Sequence, residues 1–185
     1  MRDISLHLSD IIENSCAAGS SEIRISLSFN SASGMLQTEI TDNGKGMCAD
    51  TVLRVTDPFY TSRTTRKVGL GLPLFKANAE MSGGKFSLES ELGKGTTVKA
   101  SFDMSSVDGK PLGNLAEALL SAAAGRGGIR FILNFKVDEN EFVFDTEQVK
   151  EILGGQLELS DVNVYTFLKE YLTTNINETM AGKLH

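Results

Sequence analysis

Near the start of the chain, Ile4, Leu8, Ile11 and Ile12 recur at the three-and-four spacing of one helix face, and Ala18-Gly19 followed by serines ends the pattern. The spacing predicts an amphipathic helix over residues 3–18. The period then changes to two. EIRISLSF (22–29) and MLQTEITD (35–42) alternate polar and apolar residues about a turn at Asn30–Gly34, which reads as a hairpin running into Asp42. Residues 43–57 read as a loop with a short helix, and residues 58–69 as a polar stretch rich in Thr, Ser and Arg. A helix is expected from about Leu72 to Met81, with Pro73 in its first turn and Gly83-Gly84 at its exit. KFSLESEL (85–92) and TTVKASF (96–102) read as a second hairpin closed by Gly93-Lys94-Gly95. The order is αββααββ.

A polar linker, Asp103 to Gly109, then leads to a helix in LGNLAEALLSAAAG and to strands IRFILNFK and EFVFDT, joined across Val137 to Asn140. Asp145 with Gln148 resembles a capping box for a helix to Leu153, and Val164, Phe167, Leu168, Tyr171 and Leu172 form one apolar stripe of a last helix. The chain is accordingly divided at residue 104, with 105–185 an appended αββαα unit. A length of 185 residues excludes two large domains, and 41% hydrophobic residues with only 3 prolines suffice for a core. The net charge of −6 is concentrated after residue 104, where 7 basic residues face 12 acidic ones. Nucleic acid and anionic membrane are therefore not expected partners. No apolar run approaches the roughly 20 residues of a membrane span, and the start lacks a secretory pattern, so a cytoplasmic location is expected. Cys16 and Cys48 are too far apart for a CxxC pair and are expected as buried, reduced thiols.

Three short motifs stand in order: Asp10-x-x-x-Asn14-Ser15 on the first helix, Asp42-Asn43-Gly44-Lys45-Gly46-Met47 at a strand end, and Gly69-Leu70-Gly71-Leu72 opening a helix. At about 100° per residue, His7, Asp10 and Asn14 fall within an arc of about 60° beside the apolar stripe. Glu13 points about 100° away from Asn14 and is expected as a solvated surface carboxylate. A hard ion such as Mg²⁺ takes oxygen ligands and leans on phosphates, so the Asn14 amide would be an adequate anchor; an asparagine on a helix surface needs no such role. Asp42 could accept from the exocyclic amine of adenine, where guanine would present an acceptor. Gly44 and Gly46 would let the backbone approach a flat base, although the same string elsewhere is only a turn. Gly69 and Gly71 precede a helix, whose free N–H groups favour phosphate, and Arg63, Arg66 and Lys67 lie just upstream. A charge run of that kind is usually only a solvated loop. The spellings of a P-loop and of GxGxxG are both missing.

With these motifs in this order, the chain resembles the GHKL superfamily, which groups gyrase-type, Hsp90-type and MutL-type ATPases with histidine kinases around the Bergerat fold. The resemblance covers roughly residues 4–102: the helix motif is similar to the N box, DNGKGM to the G1 box, PFYTSRTTRKVGLGL (58–72) to the F and G2 boxes, and GKGTTV (93–98) to the last glycine box. It implies an α+β fold, a two-layer α/β sandwich of Bergerat type, here with a C-terminal α/β extension. It further implies that Asn14 ligates Mg²⁺, Asp42 binds the adenine amine, Gly44, Gly46 and Met47 wall the base pocket, and Thr96 or Thr97 supports the base through water. Residues 58–71, with Phe59, Arg66, Lys67, Gly69, Leu70 and Gly71, would form an ATP lid leading into Leu72. Hydrolytic members carry Glu four residues before that Asn; here the place belongs to Asp10, one methylene shorter. Ala17 stands where many histidine kinases carry a phosphate-binding cation. With only six residues before it, His7 is not expected to be a phosphoacceptor on a separate hairpin, and 185 residues are not expected to accommodate a transducer domain. The expectation is a stand-alone ATP-binding domain working through a protein partner. It would be an ATPase or a protein kinase, with a non-catalytic ATP sensor as the alternative, and the C-terminal unit would be a docking surface or a homodimer contact.

Overall fold

Asp3 starts the first helix by accepting from the Leu6 N–H at 3.0 Å, and a second device joins it. The next orphan donors, the N–H groups of Ile4 and Ser5, are taken by the carbonyls of Pro111 and Leu112 from far along the chain. The linker of residues 103–114 is thus no loose tether; it seals the start of helix α1 (Ile4–Ala17). Its close fit needs Gly113, at φ +79, where a Cβ would meet the Asp3 carboxylate.

The computed structural model describes residues 3–57, 71–124, 126, 128–152, 154 and 161–184. After α1 come strands β1 (Glu22–Asn30) and β2 (Met35–Asp42), helices α2 (Ala49–Arg54) and α3 (Gly71–Met81), and strands β3 (Phe86–Glu91) and β4 (Gly95–Asp103). Helix α4 (Leu115–Ala123), strands β5 (Arg130–Val137) and β6 (Asn140–Asp145), and helices α5 (Thr146–Ile152) and α6 (Val162–Met180) follow. These elements reproduce the predicted order. Helix α3 ends as its sequence suggests: Gly83 takes φ +85, and the Gly84 N–H returns to the Ala79 carbonyl.

All six strands form one sheet in the order β3-β4-β2-β1-β5-β6. Every neighbouring pair is antiparallel except β1 and β5, which run parallel with Ile23 opposite Phe131 and Leu27 opposite Phe135. The parallel step follows from the crossover through α4. The strands of residues 105–185 therefore lengthen the sheet of residues 1–104, and Ile25, Phe102, Leu119, Phe135 and Leu172 share one core. Helices α3, α1, α4 and α6 pack in that order, side by side, against one face. Arg24, Ser26 and Ser28 alternate with the buried Ile23, Ile25 and Leu27 and turn to the other face. The fold is α+β, a two-layer sandwich, and the described candidate residues of the sequence lie on α1, at the start of α3 and at the ends of β2 and β4.

Two sequence expectations are corrected in the C-terminal unit. The stripe on α6 does not bury as one: Leu168, Leu172 and Ile176 enter the core, whereas Phe167 and Tyr171 stay exposed, because the former lie on the side turned to α4 and β6. Asp145 caps α5 by accepting from the Glu147 N–H, and its partner is Arg130 across the sheet rather than Gln148.

Candidate nucleotide site

Serine at position 15 continues the Ile4, Leu8, Ile11, Ile12 stripe of α1 and therefore points inward. A buried hydroxyl there requires a partner. It finds Asp42 at the end of β2: Ser15 Oγ donates to Asp42 Oδ2 at 2.6 Å. The Gly44 N–H donates to Oδ1 at 2.9 Å, and Ser20 Oγ, whose one proton goes chiefly to the Ser15 carbonyl at 2.7 Å, lies 3.2 Å from Oδ1 as the weaker branch of a shared bond. Two full donors and the shared Ser20 hydroxyl fix the carboxylate, which is 7% exposed, and leave acceptor capacity for a donor from outside the protein.

The loop after Asp42 is held as tightly. Asn43 Oδ1 accepts from the Ser21 and Glu22 N–H groups, the Lys45 N–H reaches the Ala18 carbonyl, and the Gly93 N–H reaches the Lys45 carbonyl. A Cβ on Gly44 would lie 2.7 Å from Ser20 Oγ, and one on Gly46, at φ +63, would lie 2.0 Å from the Glu91 carbonyl oxygen. The space where a side chain would stand at these glycines is filled by protein, the end of α1 at Gly44 and the β3–β4 turn at Gly46. Met47, half-buried, donates its N–H to Ser90 Oγ at 2.9 Å. Ser90 in turn donates to the Gly95 carbonyl and meets Thr96 Oγ1 at 2.9 Å, so the Thr96 hydroxyl is the donor in that pair.

Thr96 and Thr97 part company. Thr96 is the register partner of Asp42 and shares the helix-side face with Val98, while Thr97 lies on the opposite face, hydrogen-bonded to Thr41 at 3.1 Å. The sheet thus brings Thr96, and not Thr97, beside Asp42. Asn14 is exposed and Asp10 half-buried on α1. Gly71 opens α3 directly against Asp10, since a Cβ there would sit 3.0 Å from Asp10 Cβ. Leu72 is 8% exposed and belongs to the core, so its side chain supports α3. Phe59, Arg63, Arg66, Lys67, Gly69 and Leu70 lie outside the described residues.

His7 is buried between α1 and α3. Its Nε2 lies 2.6 Å from Asn78 Nδ2, and its ring is 6.2 Å from that of Phe75. With the amide as donor, Nε2 is the acceptor. Glu13, expected as a solvated carboxylate, instead pairs with Arg126 from the loop after α4, at 2.9 and 2.7 Å. Arg126 also donates to the Ala122 carbonyl. Neither cysteine is fully buried: Cys16 is intermediate, with its thiol pKa raised chiefly by partial burial. Cys48 is exposed at the N-cap of α2, and its thiol pKa is lowered by the Thr51 hydroxyl at 3.2 Å. Sequence reasoning missed Ser15, Ser20, Ser90 and Asn43; a serine on the apolar stripe of α1 was the one available signal.

No group of three or more His, Cys, Asp or Glu side chains among the described residues is arranged to hold a metal ion. No helix among the described residues is long and apolar enough to cross a membrane.

Part of the chain is similar to known proteins. The family described as histidine kinase-, DNA gyrase B- and HSP90-like ATPase matches residues 2–106. A putative sensor protein of Shewanella frigidimarina is 34% identical over 103 residues, which is 55% of this chain and 16% of that protein. Sensor kinase CckA of Brucella abortus is 39% identical over 62 residues, 33% of this chain and 7% of its own length. Histidine protein kinase DivJ of Caulobacter vibrioides is 32% identical over 79 residues, covering 40% and 13%. The chain thus spans only a small part of each of these relatives. The crystal structure of the N-terminal domain of a DNA repair protein superposes with a TM-score of 0.53 at 17% identity, covering 77% of this chain and 52% of that one, a likeness of fold.

Proposed function

The chain belongs to the histidine kinase-, DNA gyrase B- and HSP90-like ATPase family, and from that premise we propose that it binds Mg-ATP between α1 and the ends of β2 and β4 and acts on a protein partner. The observation that carries this reading is the Asp42 carboxylate, held by Ser15, Ser20 and Gly44 with acceptor capacity to spare. Adenine presents an amine donor to it; guanine presents a carbonyl, which Asp42 repels. Thr96, beside Asp42, is the threonine that supports the base through water. Asn14 holds Mg²⁺ together with the phosphates, and the ion supplies neutralisation of their charge.

Asp10 stands one turn before Asn14 on the same side of α1 and is the carboxylate nearest the start of α3. It orients a water for slow hydrolysis, or the site passes the phosphoryl group to a side chain of another protein. A sensor kinase, a histidine protein kinase and a putative sensor protein stand among the relatives, which favours a signalling role. The test is phosphate release from Mg-ATP by the full chain, beside Asp10→Asn and Asn14→Ala. Turnover lost in both variants supports hydrolysis with Asp10 as base. Absence of release, in a protein that ATP still stabilises thermally, moves the function to phosphotransfer or to nucleotide sensing.

A further inference from the structure

The outer side of α6 carries features that the nucleotide site does not use. Phe167 and Tyr171 are 56% and 42% exposed, yet they are ordered against each other: their rings stack with centroids 6.3 Å apart and planes 16° from parallel. Tyr171 also meets the Phe142 ring edge-on at 5.9 Å, and Phe142 is buried in edge strand β6. The aromatic pair is therefore braced from beneath. Large aromatic surface of this kind, fixed before binding, anchors protein interfaces at low entropic cost.

The charge around it has one sign. On the helical wheel Phe167, Tyr171, Glu170 and Glu178 fall within an arc of about 100°, and both glutamates are exposed. The only cation in α6, Lys169, is turned away to Glu117 at 3.3 Å. A second copy of the chain would bring glutamates to face glutamates. We propose that this face of α6 docks a cationic amphipathic segment of a partner protein, whose apolar side covers Phe167 and Tyr171 and whose lysines or arginines meet Glu170 and Glu178. The proposal is independent of the nucleotide reading.

The test uses the full-length chain and a fluorescein-labelled leucine–lysine amphipathic peptide of about 18 residues, roughly five helical turns, read by fluorescence polarisation. Two controls carry serine at the leucine positions or glutamate at the lysine positions. The expected result is saturable binding of the leucine–lysine peptide alone, weakened about tenfold or more by Phe167→Ala/Tyr171→Ala and by Glu170→Lys/Glu178→Lys. The charge-reversal pair lies on exposed positions and serves where the aromatic pair loosens Phe142; thermal melts of both variants report whether the fold is kept. Failure of the peptide to bind, equal binding by the serine control, or binding unchanged in the two folded variants overturns the proposal. So does a sedimentation-velocity dimer that Phe167→Ala dissolves, which would assign the face to a second copy.

Discussion

The end of β2 and the outer face of α6 solve opposite problems with the same materials. At Asp42 a charge is brought inside and surrounded by donors: two serine hydroxyls and a backbone N–H fix one carboxylate, and glycines at 44, 46 and 95 close the backbone around it. At α6 aromatic rings are kept outside and braced by one another and by Phe142. The first arrangement spends polar groups inward and can recognise only a small donor in a fixed place. The second leaves surface outward, where shape and charge select a partner without fixing its identity. The two regions share one sheet and one core, so the division of labour lies in the surfaces and not in the folding unit.

That last point is the easiest to break. Deleting residues 105–185 would strip α4 from α1, leave β1 as an unpaired edge and remove the carbonyls of Pro111 and Leu112 from the α1 N-terminus. The expected outcome is loss of cooperative thermal unfolding in the fragment, followed by circular dichroism; a sharp transition near that of the full chain would mean that residues 1–104 fold by themselves. A smaller effect sharpens the inner arrangement. Ser15→Ala removes the donor to Asp42 Oδ2 and is expected to weaken ATP binding about tenfold while lowering stability by about 1 kcal/mol. Equal losses from any surface serine of β1, such as Ser26→Ala, would contradict it.

The smallest effect is electrostatic and lies on the C-terminal side. Arg130 beside Asp145 holds that carboxyl below its ordinary range. A depressed carboxylate contributes stability that is present above its unfolded pKa, about 3.9, and lost as pH falls through the lower folded value. Arg130→Ala should therefore cost stability at neutral pH, and the gap from the parent should close as the solution is acidified below about pH 4. A gap constant across that range would assign the loss to packing of the arginine stem.

Much of the inner arrangement was legible in the amino-acid order because it depends on rare residue types at fixed places. An Asp ending an alternating strand before two glycines marks where β2 stops and its turn begins, and the apolar spacing of α1 sets which face is buried. Its supporting hydroxyls were not legible, since Ser15, Ser20 and Ser90 reach their partners only through tertiary contacts across 27, 22 and 6 positions. The packing demand on the glycines was not legible for the same reason: the atoms crowding Gly46 belong to the β3–β4 turn. On the C-terminal side the element order was readable from periodicity, but the parallel pairing of β5 with β1 was not, because nothing in an alternating strand names its neighbour. The α6 stripe misled because helical periodicity finds apolar residues without saying which of two adjacent rows meets the core.

The central claim is that Asp42 makes this an adenine site. The most direct measurement is thermal stabilisation of the full chain by Mg-ATP and by Mg-GTP, with Asp42→Ala in parallel. At about a hundredfold excess over Kd a bound nucleotide contributes about 2.7 kcal/mol. The account predicts that stabilisation for ATP, far less for GTP, and none for either nucleotide in Asp42→Ala. Equal stabilisation by the two nucleotides, or an undiminished ATP effect in the variant, would contradict it.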